Sequence, residues 1–279
     1  MFSKLFVILQ SLLPQHALSR LLGCVAEARA PWLKNQLIKQ FMRHYPIEMH
    51  EAIEPNPYHY LTFNDFFTRQ LRPDCRPIAA DSHAIVSPVD GAVAMAGKIE
   101  HNQLLQAKGA YFDLAKLCGN DEAIAPLFVD GLFSTLYLAP HNYHRIHMPL
   151  TGKLIRTTYV PGRLFSVNAT TTALVPQLYA RNERLICLFE TAAGKMAVIL
   201  VGAMIVGSMQ TVWMQAPIRA AEIQTEAFTD GPVLAKGEEM GLFKLGSTVI
   251  LLFQSQQARW DEGLAAGNAV QYGQQIGIY

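Results

Sequence analysis

Charged residues are scarce in this sequence. Of its 279 residues only 16% are Asp, Glu, Lys or Arg, whereas 51% are hydrophobic. Disordered chains are rich in charge and poor in apolar residues, so this composition excludes an intrinsically disordered protein. Long basic runs are missing as well, and 23 basic against 22 acidic residues leave a net charge of +1. We therefore expect no nucleic-acid partner.

Cysteine is rare too. The four cysteines are far apart in the sequence, at Cys24, Cys75, Cys118 and Cys187. Because they form no CxxC pair, their spacing argues against a zinc site and favours reduced thiols. The sequence LLGC at residues 21–24 resembles a lipoprotein processing site, but Pro14, His16 and Arg20 interrupt the apolar stretch that must precede one.

Long apolar runs are the third absence. A transmembrane helix needs about 20 largely apolar residues in a row. The run at residues 5–13 is interrupted by Gln10 and Ser11 and is ended by Pro14. The run at residues 198–206 is short and predicts a buried strand. The sequence therefore predicts no transmembrane helix.

The first 46 residues differ from the rest of the chain in charge. They hold six basic residues against Glu27 alone, a net charge of +5, so the other 233 residues carry −4. Apolar residues recur there at helical spacing, at Phe2, Leu5, Phe6, Leu9, Leu12 and Leu13. An apolar stripe with basic flanks suits a helix that lies in an anionic membrane surface. A helical pair packed on the main domain explains the same pattern equally well.

The distribution of apolar residues predicts an α+β fold. Residues 1–50 are predicted to be helical, with breaks at Pro14 and near Pro31, and the polar stretch at residues 51–60 is typical of a linker. Beyond residue 83, short apolar segments alternate with turn residues, which favours a β-rich, mostly antiparallel domain. We therefore expect a helical region at residues 1–50 and a β-rich catalytic domain at residues 51–279. The Gln- and Gly-rich tail after residue 254 predicts no particular structure.

The sequence LGST at residues 245–248 precedes the apolar run at residues 249–253. It is compatible with a simple turn that enters a strand. It is also compatible with chemistry, because the Ser247 hydroxyl could attack the uncrowded carbonyl of Gly246 through a five-membered ring. The amide would become an ester, which can break by elimination. Such a reaction needs a base and an oxyanion site, since serine alone is a weak nucleophile.

The sequence HNYHRIH at residues 141–147 places three histidines within seven residues. Metal binding is a poor interpretation, because no carboxylate or cysteine ligands lie nearby and an extended segment would turn His144 away from the other two. A general base or proton donor fits better, since imidazole titrates near neutral pH. A surface loop with incidental histidines is the alternative.

The sequence SPVDG at residues 87–91 contains Asp90. An Asp next to Gly is usually a turn residue. The functional alternative is a carboxylate that orients a histidine, as in a Ser-His-Asp arrangement. The three groups would then follow in the order Asp90, His147, Ser247.

These segments resemble phosphatidylserine decarboxylases of the bacterial and mitochondrial type. The resemblance runs in family order from about residue 62 to residue 253 and is highly specific, whereas the N-terminal region resembles the family only in general character. Further segments that carry it are FFTRQLR at 66–72, RPI at 76–78, QAKG at 106–109, YHRIHMP at 143–149, VPG at 160–162, LFSVN at 164–168, NER at 182–184, VGA at 201–203, VGS at 206–208, KGEEMG at 236–241 and FKLGSTV at 243–249. One departure is Asn142, where the family often carries Asp, so an electrostatic role of that position is in doubt.

The resemblance implies a proenzyme that makes its own cofactor. Cleavage between Gly246 and Ser247 would give a β chain of residues 1–246 and an α chain of residues 247–279, with Ser247 converted to a pyruvoyl group. His147, oriented by Asp90, would serve the cleavage, and His144 would return a proton to the substrate carbanion. The activity implied is decarboxylation of phosphatidylserine to phosphatidylethanolamine and CO2 through a Schiff base with the pyruvoyl group, with no metal.

A phospholipid substrate implies work at a bilayer surface. The apolar, basic N-terminal region would then dock on anionic lipid, which favours the membrane interpretation of residues 1–46. The resemblance further implies a peripheral membrane protein at the cytoplasmic face of the cell membrane and a homodimer of β/α units.

Two other functions are compatible with parts of the sequence. A serine hydrolase could use Asp90, His147 and Ser247 as a standing triad on a lipid ester, although Ser247 lies outside a G-x-S-x-G elbow. A non-enzymatic lipid-binding relative is the second alternative, and the joint presence of the site residues argues against it.

Overall fold

The N-terminal region is helical. The computed structural model describes residues 2–107, 109–204, 208–218, 220–244, 247–254 and 258–279. Its first three helices are α1 (Phe2–Leu12), α2 (Gln15–Ala26) and α3 (Pro31–His44). Pro14 separates α1 from α2, and Pro31 is the first residue of α3, where the missing N–H of proline has no intrahelical partner to lose. Both helix breaks therefore lie at prolines.

The remaining helices are short. In chain order they are a 3₁₀ helix at Met49–Glu51, α4 (Phe63–Phe67), α5 (Leu114–Leu117), a 3₁₀ helix at Ala125–Phe128, α6 (Ala169–Leu174) and α7 (Leu178–Arg181). Thr62 and Asp65 form a reciprocal capping box at the start of α4, which fixes where this helix begins. Among the described residues, no helix combines the length and the apolar character that crossing a bilayer requires.

The rest of the chain is dominated by strands. They are β1 (Ala84–Val86), β2 (Gly91–Lys98), β3 (Gln103–Ala107), β4 (Ala110–Asp113), β5 (Leu132–Leu138), β6 (Arg145–His147), β7 (Gly152–Val160), β8 (Arg184–Thr191), β9 (Gly194–Val201), β10 (Ser208–Thr211), β11 (Gln224–Ala227), β12 (Val233–Leu234), β13 (Glu239–Lys244), β14 (Ser247–Phe253), β15 (Arg259–Trp260), β16 (Ala269–Val270) and β17 (Gln275–Ile278). The predicted α+β class is thus confirmed.

One large antiparallel sheet organises the described residues. Its order is β11-β7-β8-β9-β14-β5-β2-β16, and β12 pairs with β7. Smaller groups are β1-β17-β15, β10-β13-β6 and the hairpin β3-β4. Strand β14 lies at the centre of the large sheet, between β5 and β9, and its residues 249–253 are fully buried. A strand buried on both faces needs a continuous apolar run, and the sequence VILLF supplies it.

Helices α3 and α4 form a separate apolar cluster. The Phe41 ring meets the rings of Phe63, Phe66 and Phe67 at steep angles, with centroids 5.4–6.1 Å apart. Edge-to-face packing of this kind is favourable beyond the area it buries. The cluster holds Phe67, the last residue of α4, against the segment that carries the histidines.

The C-terminal tail, for which the sequence predicted no particular structure, is folded back onto the body of the protein. Strand β17 pairs with β1 and β15, and β16 pairs with β2. The backbone N–H of Ser87 donates to the carbonyl of Gln274, which joins the tail to the SPVDG segment. This return brings Tyr272 beside Asp90.

Candidate active site

Ser247 stands at one end of the central strands. It is the first residue of β14 and lies opposite Leu138, the last residue of β5. Gly246 lies outside the described residues, so cleavage between Gly246 and Ser247 stays a prediction.

His144 lies six residues beyond the end of β5 and folds back towards it. Its Nε2 is 3.3 Å from the carbonyl oxygen of Pro140. A carbonyl can only accept, so Nε2 carries the proton and Nδ1 keeps its lone pair. Nδ1 is buried without a hydrogen-bond partner in the described part of the chain. His144 therefore offers a vacant proton acceptor near the end of β5 that faces Ser247.

The surroundings of His144 keep its ring neutral. The Phe67 ring stacks on the imidazole with centroids 4.1 Å apart and an angle of 21°. Burial lowers the pKa of His144 to about 3; the Pro140 carbonyl opposes this with a smaller effect, and the charge of Arg69 lowers the pKa slightly further. At neutral pH the group rests as a neutral imidazole.

A buried neutral histidine makes stability sensitive to acid. The unfolded chain binds a proton at His144 below about pH 6.5, whereas the folded chain does not until about pH 3. As the pH is lowered through this window, the free energy of unfolding is expected to fall by about 1.4 kcal/mol per pH unit. We expect His144→Gln, made in uncleaved Ser247→Ala protein, to flatten that fall in urea titrations between about pH 7 and about pH 5. The same change at the exposed His50 is the control, and an equal effect there would contradict this origin.

His147 is the last residue of β6 and is held on all sides. Its Nδ1 lies 2.9 Å from the carbonyl oxygen of Gly237, and its Nε2 lies 3.3 Å from the hydroxyl of Tyr143. The ring stacks on Tyr272 with centroids 3.8 Å apart and an angle of 11°. Burial lowers the pKa of His147, and the Gly237 carbonyl opposes that shift with a smaller effect. The carbonyl fixes the tautomer with the proton on Nδ1, which leaves Nε2 as the basic nitrogen.

Asp90 bonds to groups other than His147. Arg76 donates to its carboxylate through Nη2 at 2.7 Å and Nε at 3.1 Å, and the backbone N–H of Tyr272 donates at 2.9 Å. Arg76 also bonds to Glu51 at 2.8 Å. Burial alone would lower the pKa of Arg76, but the two carboxylates together raise it. Among the described residues, Asp90 has no hydrogen bond to His147, but its charge lies nearby and both residues contact Tyr272.

Strand pairing orders the two histidines relative to Ser247. In the β6–β13 pair, His147 lies opposite Glu239, whereas the Phe243 N–H donates to the His144 carbonyl. Strand β13 runs from Glu239 towards Ser247, so it passes His147 first and His144 last. With about 3.3 Å per strand residue, His147 is about 10 Å farther from that end. Along β13, His144 is thus bonded near the end that precedes Ser247 and His147 is farther from that end, whereas Asp90 directly precedes Gly91, which lies against the backbone of Tyr137 and Leu138.

A cavity of about 310 Å³ lies beside β5, where β5 pairs with β2. Its walls are mostly apolar and come from β2, from the end of β3 and from residues 167–172, and its lining includes Val93, Met95, Gln106, Tyr137, Val167 and Tyr179. Its lining residue Tyr137 lies opposite Thr248, the residue after Ser247, in the β5–β14 pair. Its volume is at the lower limit of ordinary small-molecule sites.

Several residues of the site had no role assigned from the sequence. Phe67, Arg76, Tyr143 and Gly237 all lie within the segments that carry the resemblance, which is the signal that points to them. Tyr272 lies in the tail, where neither spacing nor composition points to a site. Its position follows only from the pairing of β16 and β17.

Comparison with known proteins identifies the family. A family model described as phosphatidylserine decarboxylase matches residues 63–278, and a second model, described as PSD, matches residues 5–46. The chain is 51% identical to the phosphatidylserine decarboxylase proenzyme of Pseudomonas putida (strain W619) over 100% of this chain and 99% of that protein. The proenzyme of Azotobacter vinelandii is 50% identical over 99% of both chains.

The chain belongs to the phosphatidylserine decarboxylase family. The family and the decarboxylase class predicted from the sequence are therefore confirmed, and so is the relation to proenzymes of lipid metabolism. These comparisons support neither the serine hydrolase nor the inactive lipid-binding relative. The phosphatidylserine decarboxylase model begins at Phe63, the start of α4, and extends over Asp90, His144, His147 and Ser247. The second model covers most of α1 to α3.

Proposed function

We propose that this chain decarboxylates phosphatidylserine to phosphatidylethanolamine and CO2, using a pyruvoyl group that it makes from Ser247. The observation that carries the proposal is the position of Ser247, which follows the sequence Leu-Gly and begins the central strand β14 in a chain about half identical to proenzymes of this family. The buried, unpartnered Nδ1 of His144 near that strand end suits a site that receives a further reacting group.

The cofactor would form by a rearrangement within the chain. The Ser247 hydroxyl attacks the Gly246 carbonyl, its proton goes to a base, and the peptide nitrogen leaves, so an ester replaces the amide. Removal of the Ser247 α-proton then expels the Gly246 carboxylate and ends the long chain there. Water converts the remaining dehydroalanine to a ketone and releases ammonia. We assign the base to His147, whose Nε2 is the basic nitrogen, and a supporting electrostatic role to Asp90.

In turnover, the pyruvoyl carbonyl supplies an electron sink for the carbanion that remains when CO2 leaves. His144 is our candidate for the proton that this carbanion needs. Nδ1 has a free lone pair, through which a proton taken from water can be passed to the carbanion. Stacking on Phe67 holds the ring in one orientation during both steps. The apolar cavity beside Tyr137 is our proposed site for the lipid next to its headgroup.

The reaction products test this function. Purified protein incubated with phosphatidylserine should release CO2 and phosphatidylethanolamine in equal amounts. Release of free fatty acid without CO2 would favour a lipid ester hydrolase. Neither product, from protein already cut into two chains, would leave the decarboxylase proposal without support.

The N-terminal helices expose an apolar surface that we propose docks on anionic lipid. Its most exposed members are Phe6, Ile8, Leu9, Leu12, Leu21 and Trp32. Together with the net charge of +5 in residues 1–46, this surface fits a peripheral protein that meets the anionic, cytoplasmic face of the cell membrane.

We also propose a homodimer of β/α units, which light scattering would test.

Charge placed in that surface is expected to weaken docking. Leu12→Glu with Leu21→Glu should reduce binding to vesicles that contain phosphatidylserine by at least about tenfold, because two apolar contacts are lost and like charges are added. The matched control is Val233→Glu, an exposed apolar residue of β12. Added salt should weaken wild-type binding only in part, since screening leaves apolar insertion intact. Equal losses in both variants would show that docking lies elsewhere.

A further inference from the structure

Two buried glutamines connect the N-terminal helices to a distant part of the chain. Gln10 of α1 and Gln15 of α2 are only 2% and 3% exposed. The backbone N–H of Ser166 donates to Gln10 Oε1 and that of Leu164 donates to Gln15 Oε1, both at 2.8 Å. Gln10 Nε2 donates to the hydroxyl of Thr171 at 3.3 Å.

The two glutamines also fix the helices to each other. Gln15 Nε2 donates to the backbone carbonyl of Gln10 at 2.8 Å, across the break at Pro14. The ring of His16 lies 2.9 Å from the carbonyl oxygen of Gly162, at the start of the same distant segment. Burying an amide costs free energy unless both its ends are bonded, and here both ends of each side chain are. Polar contacts of this kind fix one relative position, which apolar packing alone does not.

The segment that the glutamines hold is a wall of the cavity beside Tyr137. Val167, Ala169 and Thr172 line that cavity. From inside, Gln106 Nε2 donates to the carbonyls of Thr172 and Val175 at 2.7 and 2.8 Å. The wall is therefore bonded on one side to the body of the protein and on the other side to the helices that carry the proposed docking surface.

We propose that Gln10 and Gln15 are positioning residues that shape the substrate cavity, so that the N-terminal helices take part in substrate binding as well as in docking. This inference rests on the proposed function. When the two glutamines bond to Leu164 and Ser166, the wall at residues 164–172 is held in the position that bounds the cavity for the lipid. When those bonds are lost, the wall is free to move although the docking surface is intact.

A substrate that needs no membrane separates positioning from docking. Short-chain phosphatidylserine, kept below its micelle-forming concentration, reaches the site from solution. We expect Gln10→Met with Gln15→Met to lower kcat/KM for this monomeric substrate by about tenfold or more, mainly through KM, as expected for one or two lost hydrogen bonds. Chain cleavage and vesicle binding should stay as in the wild type.

Two control variants complete the comparison. Gln36→Met changes an exposed glutamine of α3 and should leave kcat/KM unchanged for both the vesicle substrate and the monomeric substrate. The docking variant Leu12→Glu with Leu21→Glu should lose activity on vesicles but keep it on the monomeric substrate. The single variants Gln10→Met and Gln15→Met should each show part of the effect, and they decide by the same criteria if the double variant does not fold.

An activity-independent measurement distinguishes this inference from the proposed function. Amide hydrogen exchange at Leu164 and Ser166 should be faster in the glutamine variants, and Gln10→Glu, which keeps an acceptor for Ser166, should restore slow exchange at that amide. Unchanged exchange together with an unchanged KM would overturn the inference. If exchange is faster in the glutamine variants but the wild type releases no CO2 from phosphatidylserine, the positioning role is supported and the proposed function is refuted.

Discussion

Ser247→Ala is expected to leave a single, uncleaved chain without decarboxylase activity. Removal of the hydroxyl removes both the nucleophile for the Gly246 carbonyl and the atom whose loss creates the ketone, so no other residue can substitute for it. Intact mass measurement should show one species of 279 residues, whereas the wild type should give chains of 246 and 33 residues. The short wild-type chain should be blocked to N-terminal sequencing.

Thr248→Val is the matched control for this change. Thr248 is the next residue of β14, it is fully buried, and its hydroxyl has no hydrogen-bond partner in the described residues. Valine has nearly the same shape and no hydrogen bond is lost with the hydroxyl, so cleavage and turnover should remain close to wild type. A wild-type preparation that is fully intact yet releases CO2 from phosphatidylserine would disprove the cofactor proposal.

Changing His144 and His147 one at a time should separate maturation from turnover. His147→Ala is expected to stay uncleaved, because the base for Ser247 is lost. His144→Ala is expected to cleave and form its pyruvoyl group, yet to decarboxylate about 10²–10⁴-fold more slowly, which is the usual contribution of a general acid. Chain cleavage and CO2 release are measured separately on each purified variant.

Neighbouring residues sharpen the test of the histidines. Asp90→Ala should resemble His147→Ala to a lesser degree, because Asp90 acts through its charge and through Tyr272. His141→Ala changes a partly exposed histidine of the same segment and should affect neither step. His144 is bonded nearer than His147 to the end of β13 that precedes Ser247, so the opposite assignment of the two roles is the alternative that this test decides. If His144→Ala stays uncleaved while His147→Ala is cleaved, His144 is the base for cleavage and His147 is the proton donor in turnover.

Local patterns in the sequence were sufficient for the elements that depend on local physics. Proline cannot continue a helix from within, so Pro14 and Pro31 predicted the two breaks between the first three helices. The apolar run at residues 249–253 predicted a buried strand, because a polar residue there would lose its hydrogen bonds to water. Attack of a serine hydroxyl on the carbonyl of the preceding glycine likewise involves adjacent atoms, so the sequence alone suggests it. The cleavage itself stays a prediction.

Contacts between distant residues could not be predicted in this way. Asp90 was expected to orient His147, but Arg76 and the Tyr272 N–H occupy its carboxylate, and the Gly237 carbonyl is bonded to the ring instead. Two-residue strands such as β16 leave no periodic signal, so the path that brings Tyr272 to the site was invisible.

The glutamines of the first two helices show the same limit. In the sequence, Gln10 is an interruption of an apolar run, which argued against a transmembrane helix. In the fold it is a buried side chain with partners more than 150 residues away. A polar residue within an apolar stretch marks either exposure or a satisfied buried bond, and only the tertiary structure distinguishes the two.

With Ser247 at the beginning of β14, the proposed cleavage would be a one-way step for the molecule. After such a cut, β14 would remain between β5 and β9 and β17 beside β1, so strand pairing and the buried side chains of β14 would hold the two chains together. Once cut, an unfolded molecule can recover only if two separate chains meet again, which is concentration-dependent and slow. The lifetime of the cleaved protein would thus be governed by how fast the sheet opens, and the folding equilibrium would matter only before the cut.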